Sequence, residues 1–355
     1  KLLPSSLDTD ASSHIIQQDS GLVCILHIGE SLNASHLTIN GYERNTTPWL
    51  SNKKELINFP DCVASADLTD RAILTILTNG RRNFQEVKDP LYMPSSPGIM
   101  DFFHTCNFRC ASFWHHEVLE ADNFQFLAQQ VKYFVRSTKD NFGYKTDIIE
   151  QIDQIRNFIQ QQGNQNCFLL VNNYGSHAFF TNYDKLNPPF PIKLSPSPMS
   201  SPQQNPDIAK NYINAYDCTV HYTDRVFQAV AEQLKGRPFI YVYVGDHGEY
   251  LGEDGLWLRG NVASEEFYKH SACKVPFLIF YSPEFERLHP HFTKALQVLR
   301  TKQSMSTAHE HVFHTLLGIM GINTKYYEPS LDLSNPAALP YYGPHPRRCD
   351  ESVEN

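Results

Sequence analysis

The apolar positions of this chain fall into short continuous runs rather than alternating ones. Leu22-Val23-Cys24-Ile25-Leu26-His27-Ile28, Asn166-Cys167-Phe168-Leu169-Leu170-Val171, Pro238-Phe239-Ile240-Tyr241-Val242-Tyr243 and Lys274-Val275-Pro276-Phe277-Leu278-Ile279-Phe280-Tyr281 are of this kind. Such runs, bounded by Gly, Asn or Asp, predict strands covered on both faces. A shorter strand is predicted at Ala111-Ser112-Phe113-Trp114, after a short helix over residues 97–106. Pro276 predicts an edge position or a strand start, because it has no N–H for the ladder. Residues 62–71 read as a small, polar loop that feeds a helix. Elsewhere the spacing turns helical: Ala72–Thr78 stopping at Asn79-Gly80, then Ile148, Ile149, Ile152, Ile155 and Ile159, then Ile213–Leu234, and finally His309–Gly321. Strands alternating with helices predict an α/β fold with a largely parallel central sheet flanked by helices on both faces.

Residues 1–20 are polar and aperiodic and are expected to be a linker; residues 21–328 are expected to form one domain, and 329–355 a tail wrapping the surface. The Pro-rich stretch 184–206 reads as a long surface loop. Composition adds exclusions. The 355 residues are 41% hydrophobic, which is enough for a packed core and rules out wholesale disorder. A net charge of −8 without any basic stripe disfavours a nucleic-acid-binding surface. No run of 18 apolar residues offers a membrane span. Of the eight cysteines, Cys24, Cys167 and Cys273 lie in or beside strand-like runs and read as core thiols. The spacing of Cys106 and Cys110 leaves a local disulfide open, and the lack of paired CxxC units excludes a zinc ribbon.

The chemistry gathers where the runs end. Glu30 follows the first, His177 stands shortly after Asn166–Val171, and Asp246-His247-Gly248-Glu249 follows Pro238–Tyr243 by way of Val244-Gly245. In open α/β sheets ligands bind at the carboxyl ends of the strands. Each residue alone has a plainer explanation: Glu30 suits the first turn of a helix, Asp246 a turn cap, and a lone His a solvated surface. Together, two carboxylates and an imidazole supply hard oxygen and borderline nitrogen, a set that suits zinc and leaves an open position. Thr69 and Asp67 each suit the N-cap of the helix at 72–78. A hydroxyl at that helix start would also lose its proton more readily on a metal, beside backbone N–H groups that receive phosphate.

His27-Ile28-Gly29-Glu30-Ser31, followed by Leu37-Thr38-Ile39-Asn40-Gly41-Tyr42-Glu43-Arg44-Asn45-Thr46-Thr47-Pro48, resembles the first signature of bacterial phosphoethanolamine transferases. These belong to the sulfatase-like branch of the alkaline phosphatase superfamily and include lipid A modifying and mobile colistin-resistance enzymes. Asp246–Gly255 is similar to the second signature; Gly175-Ser176-His177, Asn214-Ala215-Tyr216-Asp217 and Val275-Pro276-Phe277 fall in matching order, and the likeness covers about residues 22–325. The resemblance implies an alkaline-phosphatase/sulfatase-like fold. It implies zinc on Glu30, Asp246 and His247, shared with a nucleophilic Thr69, with Ser65 the second candidate. His177 matches a family His that binds the phosphoryl group or a second zinc, and Glu249 and Arg259 are assigned with it to the substrate. The implied reaction takes phosphoethanolamine from phosphatidylethanolamine, passes it through a phosphothreonine, and delivers it to a sugar of a glycolipid or a glucan. The implied setting is a monomer at the bacterial inner membrane, facing the periplasm and joined to an amino-terminal membrane part that precedes Lys1.

Some positions depart from the pattern. Leu258-Arg259-Gly260 stands where relatives carry Leu-His-Gly; Arg cannot ligate zinc but clamps phosphate oxygens, so one zinc is expected, with His270 a spare ligand. Asn33-Ala34-Ser35-His36 replaces a more highly charged stretch, and a loss of charge is expected there. The family's disulfides do not map, since the position expected to partner Cys62 holds Thr75. His309 with Glu310 resembles a family pair and is expected to support the site or the fold rather than to be a ligand; His311 and His314 are expected on the helix surface or in the core, and His115-His116 along the same sheet edge. Two other readings remain at this level: a phosphodiesterase or phosphoglycerol transferase of the same superfamily, and a catalytically weak sensor or binding protein.

Overall fold

The computed structural model describes residues 9–79, 96–114, 134–136, 139–140, 143–144, 148–181, 183–184, 187–193, 196–197, 201–258 and 267–343. Its centre is an eight-stranded sheet. In chain order the strands are β1 (Val23–Gly29), β2 (Leu56–Val63), β3 (Arg109–Trp114), β4 (Phe134–Arg136), β5 (Cys167–Asn172), β6 (Phe239–Gly245), β7 (Lys274–Tyr281) and β8 (Thr307–Ala308). In space they run β8-β2-β7-β6-β1-β5-β3-β4. All pairings are parallel except those of β7, which is antiparallel to both β2 and β6, so the sheet is mixed.

The longer helices are α1 (Thr69–Leu77), α2 (Ile99–Thr105), α3 (Ile148–Gln162), α4 (Pro206–Gln233), α5 (Pro290–Thr301) and α6 (Glu310–Ile319). The continuous apolar runs are explained by burial on both sides. Within β1, Cys24, Leu26 and Ile28 join a core with residues of α1, α2, α5 and α6, whereas Val23 and Ile25 join a second core with residues of α3 and α4. Alternate side chains point to opposite faces, so one run supplies both layers.

Several expectations change. Pro276 is not at an edge: β7 lies between β2 and β6. The register slips between Val275 and Phe277, which oppose Cys62 and Phe59, so Pro276 faces Pro60-Asp61 across a bulge. Two residues that cannot donate to a ladder thus share one irregularity, which is how an internal strand tolerates them. β2 also takes Cys62 and Val63 from the segment expected to be a loop. Of the segment expected to be a linker, residues 9–20 are described and are tied to the domain: Ser12–Ser13 pairs with Ile322–Asn323, and Ile15 and Ile16 pack on the core. Residues 329–341 are more than a surface tail, because Leu331, Leu333, Ala338 and Tyr341 are buried. Cys106 and Cys110 are free thiols, so the local disulfide does not form.

One glycine fixes how β1 meets β6. A Cβ on Gly29 would lie 1.8 Å from the Tyr243 hydroxyl, on a ring that is itself fully buried. Gly29→Ala is therefore expected to cost about 3 kcal/mol through overpacking. Urea denaturation of Gly29→Ala, Tyr243→Ala and the double variant checks this; destabilisations that simply add would refute it.

Candidate active site

β1 and β6 are parallel neighbours in register, with Gly29 opposite Gly245. The next residues, Glu30 and Asp246, therefore leave the sheet at the same level, and the Asp246 N–H donates to the Gly29 carbonyl at 2.9 Å. Ser31 turns the chain in the left-handed region at φ 57°, a conformation costly for a non-glycine residue. Three bonds hold it there. Its N–H donates to Asp246 Oδ1 at 2.9 Å, its hydroxyl to Glu30 Oε1 at 2.7 Å, and its carbonyl accepts from the Tyr216 hydroxyl at 2.7 Å. The strain is local to the carboxylates, where a rigid site is needed.

His247 completes the cluster. Its Nε2 is 3.5 Å from Glu30 Oε1 and 3.4 Å from Asp246 Oδ2. Its Nδ1 is 2.9 Å from the Gly248 carbonyl; a proton donated there leaves the Nε2 lone pair facing the carboxylates, as metal-binding histidines are commonly oriented. All three side chains are buried, and their ligand atoms lie within 4.8 Å of one another. Among the described residues this is the one group of its kind. The donor set fits zinc: two hard oxygens and one imidazole nitrogen, with room for a further ligand.

Thr69 faces that room. It is the first residue of α1, and Leu68 before it offers no capping side chain. The Thr69 hydroxyl is thus no N-cap: it donates to Glu30 Oε2 at 2.9 Å and stands 3.3 Å from His247 Nε2. Leu68 contributes no side-chain cap, and of the first-turn N–H groups that of Arg71 bonds the Leu68 carbonyl at 3.2 Å, so an anion at this helix start would meet the N–H groups of Thr69 and Asp70.

The other singled-out residues separate cleanly. Ser65 lies apart, its N–H donating to His309 Nδ1 at 3.1 Å, while His309 Nε2 is 2.8 Å from the Gly245 carbonyl. His309 thereby ties the end of β6 to the strand-to-helix turn and is structural. His311 and His314 are buried core residues. His177 is half-buried in a turn pressed against the site: the Ser176 N–H donates to the Glu30 carbonyl at 2.9 Å, and a Cβ on Gly175 would come within 2.8 Å of that oxygen. Its Nδ1 bonds the Ala178 carbonyl at 2.7 Å. Glu249 is fully buried one turn beyond the cluster, and the Asn33 amide donates to its carbonyl at 3.3 Å. The His270 ring lies 5.7 Å from that of Tyr250 and outside the cluster. Arg259 and His115-His116 lie outside the described residues.

Sequence reasoning missed a second polar centre. His36 is buried, with Nδ1 2.8 Å from Asp217 Oδ1 and Nε2 3.1 Å from Glu253 Oε1. Asp217 also takes Arg44 at 2.5 Å and the Tyr42 hydroxyl at 3.0 Å, and Arg44 reaches Asn214 at 2.7 Å. Burial by itself would lower the His36 pKa, but the hydrogen bonds and charges of Asp217 and Glu253 outweigh it and raise it to about 9. The stretch expected to have lost charge therefore carries an imidazolium. Its partners Asp217 and Glu253 lie in two distant parts of the chain, so no local pattern announced them.

The chain is 25% identical over 330 residues to the phosphoethanolamine transferase EptA of Helicobacter pylori, covering 87% of this chain and 56% of that protein. It thus spans about half the length of that relative. The fold matches the soluble domain of lipooligosaccharide phosphoethanolamine transferase A from Neisseria meningitidis with a TM-score of 0.75 at 20% identity, covering 92% of this chain and 96% of that one. It also matches the C-terminal periplasmic domain of EcEptC from Escherichia coli in complex with Zn, with a TM-score of 0.75 at 18% identity over 93% of this chain and 90% of that one. The sequence profile of the Sulfatase family matches residues 23–322, from the start of β1 to beyond α6, and the chain belongs to that family.

Proposed function

We propose that this chain is the catalytic domain of a zinc-dependent phosphoethanolamine transferase, moving phosphoethanolamine from phosphatidylethanolamine to a sugar of an envelope glycolipid. The observation that carries the reading is the Thr69 hydroxyl, at an uncapped helix start, in contact with both Glu30 and His247. The matched relative in H. pylori supports the group transferred, and the Neisseria domain's name supports a lipooligosaccharide acceptor. The zinc-bound E. coli domain supports the metal and a periplasmic setting. The reading therefore places this domain outside the bacterial inner membrane, joined to a membrane-embedded part.

Glu30, Asp246 and His247 would hold the zinc together with Thr69. When bound, the ion supplies the Lewis acidity that lowers a hydroxyl pKa and offsets phosphoryl charge. The chain's own residues do the rest. Glu30 Oε2 holds the Thr69 proton and aims an oxygen lone pair outward. The first-turn amides of α1 receive the phosphoryl oxygens, with His177 as a further contact and the Arg259 guanidinium as a further positive group. Glu249 answers the ammonium of the transferred group. Thr69 Oγ1 bonds to phosphorus as the bond from phosphorus to the glycerol oxygen breaks, and the threonine proton ends on that oxygen, releasing diacylglycerol. A hydroxyl oxygen of the acceptor then attacks the same phosphorus as the bond to Thr69 Oγ1 breaks, and the proton of that hydroxyl passes to Thr69 Oγ1.

Intact mass after incubation with phosphatidylethanolamine is expected to show one added phosphoethanolamine group, and none in Thr69→Ala. An adduct that survives the substitution moves the nucleophile, with Ser65 next. Hydrolysis of simple phosphodiesters with no adduct and no transfer would point to the phosphodiesterase reading instead.

A further inference from the structure

An open groove of about 730 Å³, lined by none of the metal-cluster residues, lies between three elements: residues 42–44, the first turns of α4, and the 251–257 stretch that follows the site. Its height above the sheet follows from helix geometry. Five residues, 234–238, join α4 to β6, so the helix runs back along the strand and its amino end rises past the carboxyl edge of the sheet. The Tyr216 hydroxyl, bonded to the Ser31 carbonyl, marks the level of the site. The α4 residues of the groove span Pro206 to Asn214, so they stand about 3 to 15 Å farther along the axis at ~1.5 Å per residue. The groove is thus on the side from which a substrate approaches Thr69.

Its walls are fixed and chemically mixed. The stretch 250–258 is a small hairpin, with Leu258 N–H to the Tyr250 carbonyl at 2.8 Å and a Leu251–Trp257 bridge. Trp257 covers Gly252, where a Cβ would come within 2.5 Å of the indole, and meets Tyr212 edge-on at 6.4 Å. Arg44 is committed to Asp217 and stacks on Phe190, so its charge is not available. Lys210 is exposed and joins no ion pair among the described residues, and Glu43 is exposed nearby on the opposite wall. Half-buried Tyr42 and Trp257 add aromatic surface.

We propose that this groove seats a phosphorylated saccharide, the head of the acceptor, with a sugar ring against Trp257 and Tyr42, hydroxyls on Glu43 and the phosphate on Lys210. The assignment of this ligand as acceptor rests on the transferase reading above. Size favours it over the donor head: a groove of this volume fits a ligand of disaccharide size, while the compact phosphoethanolamine group has to lie lower, at Thr69. Lysine serves as a point-charge phosphate anchor, and aromatic rings give a sugar an apolar face.

NMR titration of the zinc-loaded and the chelated chain with glucosamine 1-phosphate tests this. Binding should survive chelation, weaken about tenfold or more in Lys210→Glu and in Trp257→Ala, and be much weaker for glucosamine. Thermal unfolding of each variant shows that it is folded. Loss of binding on chelation would put the phosphate on the metal cluster and overturn the proposal, as would unchanged affinity in Lys210→Glu, equal affinity for glucosamine, or equal competition by free phosphoethanolamine. The titration needs no turnover. A chain that binds the probe but never forms the Thr69 ester loses the transferase reading alone, and an ester-forming chain indifferent to Lys210→Glu loses the groove alone.

Discussion

Glu30→Gln is expected to change stability in opposite directions with and without zinc. Glu30 and Asp246 are fully buried carboxylates whose oxygens lie within 4.8 Å of each other and of His247 Nε2. At an effective dielectric constant of ~20, two such charges repel by about 3 kcal/mol. The metal-free chain bears that repulsion, partly offset by the N–H groups of Ser31 and His247 on Asp246 Oδ1. A glutamine keeps the shape and still accepts one hydroxyl, so the metal-free variant should be more stable than the native chain by about 1–3 kcal/mol. With zinc at about a thousand times its Kd, the native chain gains about 4 kcal/mol and the variant, missing a ligand, gains little. The order then reverses. Scanning calorimetry in zinc and in chelator checks both halves, and turnover of the variant in zinc should fall to that of the chelated native chain. A variant less stable than the native chain under both conditions would mean that the cluster is an ordinary hydrogen-bonded core and not a metal site.

The components of that cluster were legible in sequence because each obeys a local rule. Glu30 and Asp246-His247 follow apolar runs long enough to be buried strands, and Thr69 precedes a helix. What sequence could not give is the register of Gly29 with Gly245, which puts the two carboxylates at one height. Nor could it show that Leu68, not Thr69 or Asp67, occupies the cap position and frees the hydroxyl. β2 was hidden because Pro60 and the polar Asn58 and Asp61 interrupt its pattern, and only Pro276 on the neighbouring strand explains how the proline is tolerated. Residues 329–341 read as polar surface because the few buried side chains, such as Leu333, are scattered among Ser, Asn and Pro. The His36 centre is the clearest loss. Its members at 36, 42, 44, 217 and 253 meet only after α4 has crossed the sheet.

Stability should fall on the alkaline side through that centre and on the acid side through His27. The His36 pKa is raised from 6.5 to about 9, since Asp217 and Glu253 prevail over burial. The folded chain therefore binds a proton that the unfolded chain has released, and the stabilisation, about 3 kcal/mol, is full below pH ~6.5 and lost as pH rises through about 9. His27 is the reverse case. Burial lowers its pKa from 6.5 to about 4, so its contribution is full above pH ~6.5 and lost as pH falls through about 4. His36→Gln should lose about 3–5 kcal/mol near neutral pH, because one amide cannot neutralise two carboxylates, and should then vary little between about pH 6.5 and 9. Urea titrations of both chains across that range decide it; parallel curves would show that His36 is neutral in the folded chain. The consequence extends to the substrate side. Glu253 sits in the hairpin that bears Trp257, and Asp217 in the helix that bears Lys210, so His36 fastens two walls of the groove to each other. Mild alkali should loosen those walls before it disturbs Glu30, Asp246 and His247. Acceptor KM should therefore rise toward pH ~9 while ester formation on Thr69 persists.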